Sequence, residues 1–113
     1  MRNKQFEEVR SWAKARGIYS FGDPKTQTVK LMEEVGEFSK ALLNQDIDEM
    51  EDALGDMQVV LINLSTLCGF KLEDCLLRAY QTIAERKGDM LGGTFVKSIE
   101  DLDNLTIIPT KEL

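Results

Sequence analysis

The chain contains no histidine. That absence removes Ser-His and Cys-His nucleophilic catalysis, HExxH zinc sites and imidazole ligands together. Cysteine is nearly as scarce. Cys68 and Cys75 are too few for a disulfide framework and lack metal-ligand spacing. Both stand in apolar surroundings and read as small core hydrophobes. The apolar run 57–64 is too short to span a bilayer and is interrupted by Gln58 and Asn63. Nothing at the N-terminus reads as a signal peptide. Positive charge is in deficit: 14 Lys and Arg stand against 20 Asp and Glu, a net charge of −6, with a pI near 4.7. No basic stripe is evident, which argues against binding a nucleic-acid polymer. The expectation is a cytoplasmic protein with no membrane contact. The hard chemistry left to it is carboxylate with a hard cation, Mg²⁺ or Mn²⁺.

At 113 residues with 42% apolar content, the chain reads as a single domain long enough to bury a core. The expected fold is all-α. A helical core covers about residues 3–87 and a short irregular tail covers 88–113. A first helix, 3–16, carries Phe6, Val9 and Ala13 on one face and stops at Gly17. Trp12 stands at the edge of that face, as a core or subunit-contact residue or as an aromatic wall for a nucleobase. Residues 18–23 read as a loop. Asp23-Pro24 then supplies a cap and a first helical position for a second helix, about 24–45. A third runs from Ile47 or Asp48 to about Cys68, and its second half is apolar on almost every side. The fourth, 72–86, puts Leu72, Leu76, Ala79, Tyr80 and Ile83 on one face and stops at Gly88. Arg86 and Lys87 fall in its last turn, where the helix dipole favours cations and where they could also meet phosphates. Residues 94–97 and the acidic tail read as short extended segments or as a contact with a neighbouring subunit.

The acids are distributed unevenly. Glu33, Glu34 and Glu37 crowd into five residues of the second helix. At about 100° per residue, Leu31, Val35, Phe38 and Leu42 form the stripe expected to be buried. Gln27, Lys30, Glu34, Glu37 and Ala41 form a second stripe beside it, so Glu34 and Glu37 stand at the edge of the core. Lys30 can pair with Glu34, but Ala41 takes the place where Glu37 would need a partner. On the third helix Glu49, Asp52, Asp56 and Asn63 line up along an otherwise apolar element. No Lys or Arg lies between Ala41 and Phe70 to pair with them. The helix dipole accounts for Glu49 and for Asp52, but not for Asp56, more than a turn further in. A buried carboxylate must be paired, neutralised or bound to metal. Two antiparallel helices would bring Glu34, Glu37, Asp52 and Asp56 together into a site for Mg²⁺.

Glu33-Glu34-x-x-Glu37, a spacer, then Ala53-Leu54-Gly55-Asp56 opening an apolar helix resembles the MazG-like nucleotide pyrophosphohydrolases. Trp12-Ala13-x-x-Arg16-Gly17-Ile18, Gly22-Asp23-Pro24-Lys25 and Arg86-Lys87-Gly88 through Gly93-x-Phe95-Val96-Lys97 resemble the small phage-type members. The resemblance implies a four-helix all-α bundle, Mg²⁺ dependence, hydrolysis of nucleoside triphosphates to monophosphate and pyrophosphate, and a homodimer or homotetramer. It places Glu34, Glu37 and Asp56 on metal ligands with Glu33 as the adjacent acid. The family pattern has Glu where this chain has Ala53, and Asp52 is the candidate to supply that oxygen. On this reading Glu33 and Glu34 are the catalytic acids, Glu33 as a further ligand or as the base that orients water. Lys30, Arg86 and Lys87 would neutralise phosphate, and Trp12 would stack on the base. The alternative is a non-catalytic binding or assembly module of the same fold, which Ala53 favours.

Overall fold

The computed structural model describes residues 4–98. Five helices and one strand pair make up the described chain: α1 (Lys4–Ala15), α2 (Ile18–Phe21), α3 (Pro24–Leu43), α4 (Ile47–Leu67), α5 (Leu72–Ile83), β1 (Gly88–Leu91) and β2 (Thr94–Lys97). The all-α expectation holds, with the hairpin as a short appendage. The chain divides into two compact units between Leu76 and Leu77.

In the first unit, local chemistry sets the helix boundaries. Gly17 ends α1 in the left-handed conformation, φ 82°. Asp23 caps α3: its carboxylate accepts from the Thr26 N–H and the Thr26 hydroxyl, each at 2.8 Å, with Pro24 at the first helical position. Asp46 caps α4 in the same way, accepting from the Glu49 N–H at 3.2 Å. Residues 18–23 are not all loop, because Ile18–Phe21 closes one helical turn. The Phe21 and Gly22 N–H groups donate to the carbonyls of Gly17 and Ile18 at 2.9 and 2.8 Å. A Cβ at Gly22 would stand 2.4 Å from the Ile18 carbonyl oxygen. Gly22→Ala therefore costs about 1 kcal/mol of stability, read as a lower urea midpoint at unchanged slope.

The connection between α3 and α4 is three residues, so the two helices run antiparallel and make the most extensive contact of the fold. Among the described residues, the buried apolar side chains are mostly small. Ala41 and Ala53 are buried with Val60 and Ile62 of α4, and Ala13 of α1 completes the buried apolar set. The rotation of α3 differs from the expected one. Glu34 and Ala41 are its buried residues, and Gln27, Leu31 and Phe38 are half-buried around them. Val35 and Leu42, expected inside, are 40% and 51% exposed. The face of α3 turned inward is thus the one that holds Glu34 and Ala41, seven residues apart.

Two further expectations change. Cys68 and Cys75 are exposed rather than in the core. Cys68 stands at the C-terminal cap of α4, and Cys75 lies on α5, none of whose side chains is buried. Helix α5 stops at Ile83, so Arg86 and Lys87 lie beyond its last turn. The Arg86 N–H donates to the Ile83 carbonyl at 3.0 Å, and the Lys87 carbonyl accepts from the Ser98 N–H at 2.7 Å. That second bond draws the chain into the hairpin. Gly88 begins β1, pairing with Lys97 of β2. The tail after Ser98 lies outside the described residues.

Candidate active site

Burial of Glu34 is the strongest anomaly of the first unit. The residue is 9% exposed, and its Oε2 is buried without a hydrogen-bond partner. Burial pushes the Glu34 carboxyl above the usual carboxylate range, and the charges of Glu37 and Asp56 push it further. Asp56, half-buried on α4, is raised in the same way: by burial first, then by the charges of Asp52 and Glu37. Lys30 acts on both groups in the opposite direction. Four acids from two antiparallel helices thus share one electrostatic neighbourhood, with Lys30 as the cation acting on it. They are not gathered into a finished coordination shell. Among the described residues, no three acidic side chains surround one point closely enough to hold an ion as they stand. Glu37 and Asp52 are exposed, and like charges on successive turns repel.

Glu33, the neighbour of Glu34 in sequence, is exposed on α3. Asn63, in line with Asp56, has a structural partner: it is 4% exposed and its Oδ1 accepts from the Tyr19 hydroxyl at 2.7 Å. That bond ties α2 to α4. Ala53 is buried, so the position where the family pattern has Glu is filled by an enclosed methyl group. Arg86 and Lys87 belong to the second unit, where Arg86 is half-buried and Lys87 exposed.

Trp12 is placed more informatively than its sequence position suggested. It lines a hollow of about 420 Å³ between α1 and α4, together with Glu8, Val9, Asp56 and Val59. The guanidinium of Arg16 lies over its ring, 5.6 Å from the centroid. Val59 and Glu8 were not among the residues singled out from sequence. Helical spacing carries a signal for both: Val59 is three residues after Asp56, and Glu8 is four before Trp12. Among the described residues, no single helix is long and apolar enough to cross a membrane.

Comparison with known proteins adds to this geometry. An uncharacterised 18.2 kDa protein in the rep-hol intergenic region of Haemophilus phage HP1 (strain HP1c1) is 32% identical over 59 residues, covering 52% of this chain and 36% of the phage protein. The chain thus spans about a third of that relative's length. No solved structure matches. The model of the MazG nucleotide pyrophosphohydrolase domain matches residues 23–91, which include α3, α4 and all the acids of the cluster. The chain belongs to the MazG nucleotide pyrophosphohydrolase domain family.

Proposed function

We propose that the protein hydrolyses (deoxy)nucleoside triphosphates to monophosphate and pyrophosphate in a Mg²⁺-dependent reaction. The observation that carries this reading is the unpartnered, buried Glu34 Oε2, with Glu37 and Asp56 acting on the same carboxyl. An acceptor buried without a donor costs about 1–3 kcal/mol. Neighbouring carboxylates add to that cost, and a hard cation with oxygen ligands removes it. The donor set fits Mg²⁺, or Mn²⁺, because every candidate ligand is a carboxylate oxygen. Glu34, Glu37 and Asp56 would hold the ion, with Asp52 supplying the oxygen that Ala53 cannot. Bound there, the ion would neutralise phosphate charge and polarise the phosphoryl group.

The chain's own groups have separate tasks in this scheme. Lys30, which already acts on Glu34 and Asp56, neutralises substrate phosphate. Glu33 orients the attacking water and accepts its proton. The water oxygen bonds to phosphorus as the bridging oxygen leaves with pyrophosphate. Trp12 stacks on the base. The exposed apolar residues Met32, Val35, Leu42 and Leu54 on α3 and α4 support assembly as a homodimer or homotetramer in the cytoplasm.

The test is pyrophosphate release from a panel of ribo- and deoxyribonucleotides, with Mg²⁺ and with EDTA in excess. Turnover that EDTA abolishes and Mg²⁺ restores supports the reading. Failure to cleave any nucleotide at any Mg²⁺ concentration defeats it.

A further inference from the structure

The hollow beside Trp12 continues along the α1–α4 groove. A second space of about 440 Å³ shares Glu8, Val9 and Val59 with it and has Gly55 and Gln58 on its α4 side. Two features of this groove have no role in holding the fold together. Gly55 lies in the interior of α4, where glycine costs about 1 kcal/mol relative to alanine. A Cβ there would meet nothing within 4 Å, so packing within the chain does not require glycine at this position. What the missing methyl leaves is room in the groove. Glu8 is exposed on α1 and, among the described residues, makes no hydrogen bond or ion pair. Its neighbour Glu7, by contrast, accepts from Arg10 at 2.7 Å and lies 3.7 Å from Lys71.

The groove also has polarity along its length. Asp56 lies at one end, within the charged neighbourhood of Asp52, Glu37 and Lys30. Val9 and Val59 form apolar walls beside the Trp12 ring, and Glu8 is common to both spaces. A nucleotide whose phosphates lie toward Asp56 would place its base against Trp12 and the valines, with the base edge toward Glu8. The α1 wall of this groove lies outside the span matched by the family model.

The geometry points to Glu8 as the residue that selects the base, favouring bases with an exocyclic amine, guanine above all, over thymine and uracil. This rests on the nucleotide reading above. A carboxylate only accepts hydrogen bonds. Guanine presents two adjacent N–H donors on one edge, which a carboxylate can engage with both oxygens. Adenine and cytosine offer an amine beside a ring acceptor, so one bond forms. Thymine and uracil flank their single N–H with two carbonyls, which a carboxylate repels. A good bidentate pair discriminates by about tenfold or more.

Trp12 is the sole tryptophan, so its fluorescence reports on the groove directly. The experiment titrates dGMP and dTMP into the protein and into Glu8→Gln, with Mg²⁺ present, and follows quenching. In parallel, dGTP and dTTP hydrolysis is measured with Mg²⁺. The native protein should bind dGMP about tenfold more tightly than dTMP. Glu8→Gln should bring the two within about twofold, because the amide keeps the size but loses the charge and one acceptor. The dGTP-to-dTTP ratio of kcat/KM should fall by the same factor, through KM. Gly55→Ala should weaken both monophosphates together while raising the melting temperature. Equal binding of dGMP and dTMP by the native protein, or an unchanged ratio in Glu8→Gln, overturns the proposal. Absence of all hydrolysis would defeat the hydrolase reading alone, since the monophosphate titration still decides the role of Glu8.

Discussion

Glu34→Gln should make the metal-free protein more stable and the Mg²⁺-loaded protein nearly inactive. The sign follows from the burial of this carboxylate. In the folded chain its carboxyl is held above the ordinary range, first by burial and then by Glu37 and Asp56. Between its unfolded and folded pKa values, the folded state therefore binds more protons than the unfolded state. Stability must fall as pH rises through that window, and the full penalty is present above the folded pKa. An amide of the same shape cannot ionise, and its N–H group can donate to the carboxylate of Glu37, whose charge acts on Glu34. Removing the buried charge and giving the neighbouring carboxylate a donor returns about 1 kcal/mol or more. For a chain of this size that raises the melting temperature by about 4 °C. The gain should shrink as pH is lowered, because the native carboxyl then takes up its proton. With Mg²⁺ the order reverses. The native protein gains a ligand-linked increment that Glu34→Gln lacks. Pyrophosphate release by the variant should fall at least about 100-fold, the order expected when one preorganised charge is removed from a reacting phosphoryl group. Calorimetric melting across pH, with and without Mg²⁺, separates these effects. A variant that melts with the native protein under all four conditions would show that Glu34 is an ordinary buried acid.

The origin of that penalty also shows which parts of the site were legible in the sequence. The helix boundaries follow from contacts within a few residues, such as the Asp23 carboxylate on Thr26 and the positive φ of Gly17. The crowding of acids on these two helices was legible as well. There is no histidine and no cation between Ala41 and Phe70, and in the fold the charges acting on Asp56 are those of Asp52, Glu37 and Lys30. The rotation of α3 was not legible. Its apolar stripe and its acid-bearing stripe lie side by side, and periodicity cannot choose between neighbouring faces. The buried residues mark the face that is taken: Glu34 and Ala41 on α3, with Ala53 buried on α4. Both alanines belong to patterns that could be read otherwise, Ala41 as the vacancy opposite Glu37 and Ala53 as a missing ligand. Glu34 is consequently more buried than an edge position implies. The turn Ile18–Phe21 was missed because four residues between two glycines show no periodicity. Trp12 and Asp56 are 44 positions apart, so only the fold could place them on one hollow.

Arg10 and Glu73 provide the second large effect, on stability alone. Arg10 of α1 donates through Nη1 to Glu73 Oε2 at 2.9 Å and through Nη2 to Glu73 Oε1, a two-armed pair with the first turn of α5. The same Nη1 also reaches Glu7 at 2.7 Å. The Arg10 and Glu73 side chains are 13% and 15% exposed, so solvent screens them little. Exposed pairs contribute up to about 1 kcal/mol, and breaking a fully buried one costs about 3–5. Arg10→Met, which keeps the aliphatic stem, should therefore cost about 2–3 kcal/mol at neutral pH. Most of that cost is Glu73 left inside without its partner, as Lys71 remains only a weak electrostatic neighbour. Adding Glu73→Leu to Arg10→Met should restore much of the loss, because the stranded charge is then gone. The pH dependence fixes the mechanism. The Arg10 hydrogen bond holds the Glu73 carboxyl below the usual range. The unfolded chain therefore binds more protons between the two pKa values, and the pair's contribution is present above the ordinary carboxylate pKa. It is lost as pH falls through the lower, folded one. The gap between native protein and Arg10→Met should thus close in acid. Urea midpoints of the native protein, both single variants and the double variant at neutral and acidic pH complete the cycle. If Arg10→Met costs the same at both pH values, the loss comes from packing of the arginine stem and the ion pair contributes nothing.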